Sequence, residues 1–207
     1  MSSQAAFSAI ASPPEQSPEQ RVVLQGVSWH QYELLLVTLG DDFPALRLSY
    51  LESTLEIMTN SPLHEELKSM IGMLMEAYFQ ETRTRFHGIG SATFRQAAKQ
   101  RGLEPDECYC LGGKKELPDL AIEVVLSSGL IDKLDIYKGL GVTEVWVWEA
   151  RKFTLYHLRS DSHLERYEQV ESSELLPDCD IGLLASYIKL EEQFDAVMAF
   201  RDQLRAN

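Results

Sequence analysis

The sequence has 207 residues, of which 44% are hydrophobic and 25% are charged, and this composition is typical of a globular domain with a buried core. It contains no run of roughly 18 to 20 apolar residues, so we expect no membrane-spanning helix and no membrane partner. Acidic residues number 32 against 19 basic ones, and the net charge of −13 excludes a protein that coats nucleic acid with a basic surface. A local nucleic-acid contact remains compatible with this charge, because bound divalent cations reverse the sign of the field around them.

The first 20 residues consist mainly of small and polar side chains with three prolines, and they lack the basic and apolar regions of a secretory signal. We predict a disordered tail over residues 1–20, because this composition buries too little apolar surface to offset the entropy of ordering. The remainder, residues 21–207, is predicted to form a single domain. Cysteines are few, and Cys108, Cys110 and Cys179 lack metal-binding spacing, so we expect reduced thiols and a cytoplasmic location.

The domain begins with the run RVVLQGV, which predicts a strand, and Ser28 is a candidate cap for the helix that follows. Residues 45–58 alternate apolar and polar side chains and predict an antiparallel hairpin. A second helix is expected to begin near Pro62, where Glu65 and Glu66 complement the positive end of the helix dipole. The glycine-rich segment HGIGSATFRQAAKQRG predicts a strand followed by an irregular connection.

Two strands are then predicted at residues 107–111 and 120–126, separated by a turn that contains glycine. The run IDKLDIYKGLG predicts a short helix, and EVWVWEA with FTLYHL predicts another hairpin. A strand is expected at residues 164–170, followed by a C-terminal helix that starts near Leu183 or after Lys189. The strand, helix, strand order indicates one parallel crossover, and the fold class is therefore α/β with a mixed sheet and flanking helices.

Two acidic residues stand out in these central strands. Glu123 interrupts the apolar run from Leu120 to Leu126, where an unpaired charge would be costly, so we expect it to be paired, bound to a metal or directed into a cleft. Asp106 lies at the entry of the preceding strand, and a tight turn would bring the two carboxylates together. Two such oxygen ligands suit Mg²⁺ or Mn²⁺. Lys133 follows Glu123 after one short loop, and it is a candidate for stabilising charge on a phosphoryl group.

Three segments together resemble a known family: SYLESTLEIMTNSPLHEEL, GSATFRQAAKQRGLEPDECYCL and PDLAIEVVLSSGLIDKLDIYKGLGVTEVWVW. They are similar to the cyanobacteria-rich Uma-two family of restriction-endonuclease-like proteins, within the PD-(D/E)XK nuclease superfamily. The resemblance runs from Arg21 to the hairpin ending near Leu158. It implies a restriction-endonuclease-like fold, in which helices flank a mixed β-sheet.

The resemblance also implies roles for individual residues. Asp106 corresponds to the Asp of the PD element and Glu123 to the acid of the (D/E)XK element, and both would bind Mg²⁺ or Mn²⁺. Val125 replaces the usual lysine two positions after the acid, so Lys133 would have to act from the following helix. The three residues Asp106, Glu123 and Lys133 are therefore the predicted catalytic set.

Other assignments remain open at this stage. The superfamily often has a glutamate on its first helix near the site, and either Glu65 or Glu66 fills that position. Asp119 belongs to a second Pro-Asp pair and competes with Asp106, although it more readily begins the strand that carries Glu123. His64 is interpreted as a residue of the helix cap or surface, with a functional role as the alternative.

The first functional hypothesis is a Mg²⁺-dependent endonuclease that hydrolyses phosphodiester bonds in nucleic acid, with DNA as the expected partner. The alternative is a catalytically inactive protein of the nuclease fold that acts as a binding or assembly module, a reading favoured by Val125. The apolar C-terminal helix and the strand from Trp146 to Trp148 further suggest a homodimer.

Overall fold

A computed structural model describes residues 19–39, 43, 45–127, 129, 131–161 and 164–206. The predicted tail therefore lies outside the described residues, except for Glu19 and Gln20. Gln20 already belongs to the first strand, which starts one residue before the expected domain boundary at Arg21.

The described chain contains eleven strands and five α-helices, with a short 3₁₀ turn at Ala97–Lys99. The elements are β1 (Gln20–Gln25), α1 (Trp29–Leu39), β2 (Leu46–Leu51), β3 (Thr54–Thr59), α2 (Pro62–Glu81), β4 (Phe86–Gly88), β5 (Phe94–Gln96), β6 (Arg101–Leu103), β7 (Glu107–Leu111), β8 (Leu120–Val125), α3 (Lys133–Leu140), β9 (Glu144–Glu149), β10 (Lys152–Asp161), β11 (Leu164–Val170), α4 (Ile181–Ser186) and α5 (Gln193–Ala206).

The strands form two sheets. An antiparallel sheet has the order β1-β3-β2-β6-β5, and a mixed sheet has the order β11-β10-β9-β8-β7-β4. In the mixed sheet β8 and β9 run parallel, and α3 makes the crossover between them. The α/β class, the mixed sheet, the flanking helices and the parallel crossover are confirmed. The separate antiparallel sheet was not predicted, because alternation within a hairpin does not show which other strands will pair with it.

Local sequence signals account for several element ends. Ser61 caps α2 by accepting a hydrogen bond from the His64 amide at 3.2 Å, and Pro62 fits the first turn. Gly141 ends α3 in the left-handed conformation at φ 82. The predicted C-terminal helix is two helices, because the chain turns between them to bury Ile188 in the main core.

The two faces of the mixed sheet carry separate cores. On one face, α2, α4 and α5 pack against Leu120, Ile122 and Val124 of β8. On the other face, α3 packs over Ala121, and Glu123, two residues later on the same strand, lies on that face as well. A smaller core joins α1 to the antiparallel sheet. Glu123 therefore points toward α3, away from the larger core.

The surfaces proposed for dimerisation are partly occupied within one chain. Trp146 and Trp148 are buried in the main core, and Phe200 of α5 is buried there as well. Phe194 of α5 stays 76% exposed, so the outer face of this helix is still open to a partner, and dimerisation stays a prediction. Within the described ranges, no helix combines the length and the apolar character that crossing a bilayer requires.

Candidate active site

The register of two strands brings the predicted acids together. In the antiparallel pair β7 and β8, Glu107 lies opposite Ile122, so Asp106, one step earlier, faces Glu123. Asp106 also accepts a hydrogen bond from the Val124 amide at 2.8 Å, which fixes its carboxylate against β8. Asp106 and Glu123 are each only 2% exposed. Two carboxylates from adjacent strands are thus held side by side in the protein interior.

Lys133 reaches Glu123 from the first position of α3. Asp132 caps this helix by accepting the Asp135 amide, and Lys133 extends back over the carboxyl end of β8. Its Nζ donates to Glu123 Oε2 at 2.6 Å. Tyr137, four residues later on the same helix face, donates its hydroxyl to Glu123 Oε1. Both oxygens of Glu123 therefore have a hydrogen-bond donor on α3.

A second chain of contacts extends from Asp106 to the start of the described chain. The Nε2 atom of His64 lies 2.8 Å from Asp106 Oδ1, and its Nδ1 atom lies 2.8 Å from Glu19 Oε1. Ser127 Oγ donates to the other oxygen of Glu19. Because carboxylates only accept hydrogen bonds, the imidazolium form of His64, with an N–H on each nitrogen, satisfies both contacts. His64 is completely buried in this arrangement.

The site opens to a small cavity beside Lys133. The cavity has a volume of about 150 Å³, and its walls include Glu19, Arg21 and Ser127 as well as Lys133. Arg21 donates to the Ser127 carbonyl at 3.3 Å and lies 3.6 Å from Glu56 Oε2. Glu56 comes from β3, so the antiparallel sheet contributes to the rim of a site whose centre lies in the mixed sheet.

Burial and neighbouring charges shift the acids in opposite directions. Burial raises the pKa of Glu123, and the attraction of Lys133 only partly offsets this, since the charge of Asp106 raises the pKa as well. Burial also acts to raise the pKa of Asp106, but the hydrogen bond from His64 and the charge of Lys133 hold that pKa below its usual value. Asp106 is therefore the more firmly ionised acid of the pair.

The two basic groups are held in their charged forms. Burial lowers the pKa of Lys133, but the carboxylates of Glu123 and Asp106 outweigh this effect and raise it above the usual value. Burial likewise lowers the pKa of His64, and hydrogen bonds to Asp106 and Glu19 more than compensate. The site thus favours the charged forms of Lys133 and His64 although burial acts against both.

The remaining predicted residues lie elsewhere. Glu65 accepts from Asn60 at 2.6 Å and pairs with Lys68 at 2.8 Å, and Glu66 is exposed on the surface of α2. The residue of this helix that contacts the acid pair is His64. We find neither glutamate in contact with Asp106 or Glu123 among the described residues.

Asp119 has a local role at the start of β8. It accepts a hydrogen bond from the Leu111 amide at 2.7 Å and pairs with Lys115 at 2.7 Å, which closes the turn between β7 and β8. The structure thus joins Asp106, Glu123 and Lys133 in one network and leaves Asp119 outside it. The catalytic role of these three joined residues stays a prediction.

Mg²⁺ or Mn²⁺ fits the donors that this network offers. Each carboxylate oxygen of Asp106 and Glu123 accepts one hydrogen bond from a described residue, so each retains a second lone pair. In the described part of the chain, no three His, Cys, Asp or Glu side chains are arranged to hold a metal among themselves. A hard cation held by two carboxylates takes its other ligands from water and substrate, so a third acid is not required.

Comparison with known families agrees with this geometry. Residues 29–184, more than half of the chain, match the family Uma2, which is described as a putative restriction endonuclease. The chain belongs to the Uma2 family. The match includes His64, Asp106, Glu123 and Lys133, whereas Glu19 precedes it. No curated protein matches the sequence.

Sequence reasoning missed several residues of the site in this Uma2 protein. Tyr137 is not among the predicted site residues, although its spacing of four from Lys133 is a usable signal. Glu19 was placed in the tail, and Arg21 and Glu56 were not considered. Glu19, Arg21 and Glu56 reach the site because the chain enters the domain there and β1 pairs with β3. Patterns of neighbouring residues do not reveal such long-range pairing.

Proposed function

We propose that this Uma2 protein is a metal-dependent endonuclease that hydrolyses phosphodiester bonds of DNA. The observation that supports the proposal most strongly is the juxtaposition of two buried carboxylates, from neighbouring strands, with a lysine ammonium at a cavity. Membership of a nuclease family supports the same reaction class. A purely structural role is a weaker account of this arrangement, because burying two acids and a lysine together has a high desolvation cost.

In this proposal Asp106 and Glu123 would hold a Mg²⁺ or Mn²⁺ ion. When bound, the ion would polarise the phosphoryl oxygen and lower the pKa of a water molecule. Lys133 donates to the oxygens on which charge accumulates as water attacks phosphorus and the leaving oxygen departs. Tyr137 holds the carboxylate of Glu123 in place, and His64 does the same for Asp106.

We propose that the protein contacts DNA over a small area around the cavity. The net charge of −13 opposes a broad DNA-binding surface, whereas Arg21 and Lys133 put positive charge at the cavity itself. Cys108, Cys110 and Cys179 are free and buried, which is compatible with the proposed reducing, cytoplasmic environment. We also propose that two copies associate, and light scattering that finds only a 23.5 kDa species would exclude this.

The alternative function is a binding or assembly module that has lost catalysis. Two observations favour it: the lysine of the usual motif is replaced by Val125, and every oxygen of the two acids already accepts a hydrogen bond within the protein. In that case Lys133 is a permanent counterion that takes the place of a metal.

The deciding experiment combines metal titration by calorimetry with nicking of supercoiled plasmid in Mg²⁺ or Mn²⁺. Wild type should bind metal and nick DNA, Glu123→Gln should do neither, and Lys133→Gln should bind metal but nick at least about 100-fold more slowly. Glu107→Gln is the matched control, because Glu107 lies one residue from Asp106 but packs beside Gly72 of α2. Activity that persists in both site variants would refute the proposal, and a wild type without metal binding or nicking would favour the module.

A further inference from the structure

A second cavity lies at the carboxyl ends of the parallel strands β8 and β9. It has a volume of about 380 Å³, within the size range of pockets that bind small organic groups. Its walls come from four parts of the chain and are mainly apolar: Leu63, Leu67, Val125, Leu126, Trp148, Ile188 and Leu190. The carboxyl ends of parallel strands are where α/β proteins usually place their ligands.

This cavity adjoins the candidate active site. Val125 lines both the larger cavity and the 150 Å³ cavity that Lys133 lines, so the two spaces meet at this residue. A group bound in the larger cavity would therefore neighbour a phosphate bound beside Lys133. Leu126, the next residue, is 40% exposed and forms part of the entrance.

Positive charge lies at the mouth of the apolar pocket. Arg151 and Lys189 both line the cavity and both are exposed, and one exposed acid, Glu191, lies beside them, so the lining carries two cations and one anion. Within the described ranges neither cation forms an ion pair, although the chain as a whole is strongly acidic. An apolar interior with an aromatic wall, next to unpaired cations, combines the two features that recognise a nucleotide, namely a surface for the base and charge for the phosphates.

We propose that the 380 Å³ cavity accepts the base of an unpaired nucleotide adjacent to the phosphate that is cut. The inference rests on the proposed endonuclease function and adds its substrate class: DNA with a bulged, mismatched or single-stranded nucleotide. A base that is paired and stacked inside a duplex cannot reach the pocket. It must first leave the stack, so the substrate needs an unpaired nucleotide. Trp148 and the leucines contact the base, while Arg151 and Lys189 contact the flanking phosphates.

The structure offers a variant that tests Arg151 without harming the fold. Ala150 and Arg151 form the two-residue turn between β9 and β10, and Arg151 has a positive φ of 64, which favours glycine. Arg151→Gly should therefore keep or improve stability while it removes the charge.

Arg83→Gly is its matched control. Arg83 also has a positive φ, 56, and follows the far end of α2, roughly 30 Å from the pocket given the rise per residue of a helix. Leu126→Trp is a second test of the pocket, because it fills the entrance from a partly exposed position.

Binding is measured by fluorescence anisotropy in the Glu123→Gln background with Mg²⁺, so that no strand is cut. Three labelled duplexes are compared: one fully paired, one with a single bulged nucleotide, and one with an abasic residue in the bulge. The bulged duplex should bind at least about tenfold more tightly than the other two. Arg151→Gly and Leu126→Trp should remove most of this preference, and Arg83→Gly should retain it.

Equal affinity for the three duplexes would overturn the inference, and so would equal affinity for the bulged and the abasic duplex. A preference for the bulged duplex that survives in both Arg151→Gly and Leu126→Trp would also overturn it. Competition by free dAMP at the affinity of the bulged duplex would also overturn it, because the pocket would then take a free nucleotide. Nicking by wild type is assayed separately. A preference without nicking would refute only the proposed function, and nicking without a preference would refute only the pocket.

Discussion

Replacing His64 by alanine should destabilise the protein strongly. The side chain is completely buried and makes two contacts of 2.8 Å, one to Asp106 and one to Glu19. A hydrogen bond to a charged group contributes roughly 1.5 to 3 kcal/mol, and breaking a buried ion pair costs about 3 to 5 kcal/mol. We therefore expect His64→Ala to lower the free energy of unfolding by about 3 to 5 kcal/mol.

The size of this loss should depend on pH. The pKa of His64 is raised above its usual value of 6.5 in the folded protein, so its contribution is fully present below pH 6.5 and is lost as the pH rises through the folded pKa. The difference between wild type and His64→Ala should therefore be larger near about pH 6 than near about pH 9.

Urea unfolding followed by the fluorescence of the buried tryptophans measures both effects. His87→Ala is the control, because His87 is exposed on β4 and its replacement should change stability by less than about 0.5 kcal/mol. A loss below about 1 kcal/mol for His64→Ala, or a loss that is the same at both pH values, would show that the imidazolium does not hold the two carboxylates.

Three further predictions concern other parts of the fold. Tyr137→Phe removes a donor to the ionised form of Glu123, so the acid limb of the nicking profile should move to higher pH. Burial raises the pKa of Glu107 to about 7, so above that pH Glu107→Gln should raise the free energy of unfolding, measured in urea, by roughly 2 to 3 kcal/mol, with no gain near about pH 4. Gly102→Ala should cost about 1 to 3 kcal/mol in the same assay, because its Cβ would lie 2.9 Å from Cε1 of the buried Tyr32.

The sequence predicted most of the elements because each carries a local signal. Period-two alternation marked the β2–β3 hairpin, and Ser61 with Pro62 marked the start of α2. The same holds for the centre of the site. An acid in a buried run and a lysine at the next helix start are local observations. The register of β7 and β8 places Asp106 opposite Glu123, although eight residues rather than a tight turn join the two strands.

The outer part of the site was not predictable in this way. Glu19 reaches His64 and Ser127 because β1 pairs with β3, and that pairing leaves no trace in the residues around Glu19 itself. His64 was undervalued for a related reason. A histidine at a helix start is usually exposed, and only the packing of α2 against the mixed sheet turns this one toward Asp106.

The contacts that link Ser127, Glu19, His64 and Asp106 join residues that are 108, 45 and 42 positions apart in the chain. Contacts of such long range form late in folding, since the entropy of closing the large loops must be overcome first. The antiparallel sheet must therefore dock on the mixed sheet before Glu19 can contact His64 and Ser127. A newly synthesised chain that has formed its hairpins but not this linkage therefore lacks the contact that ties Glu19 to Asp106 through His64.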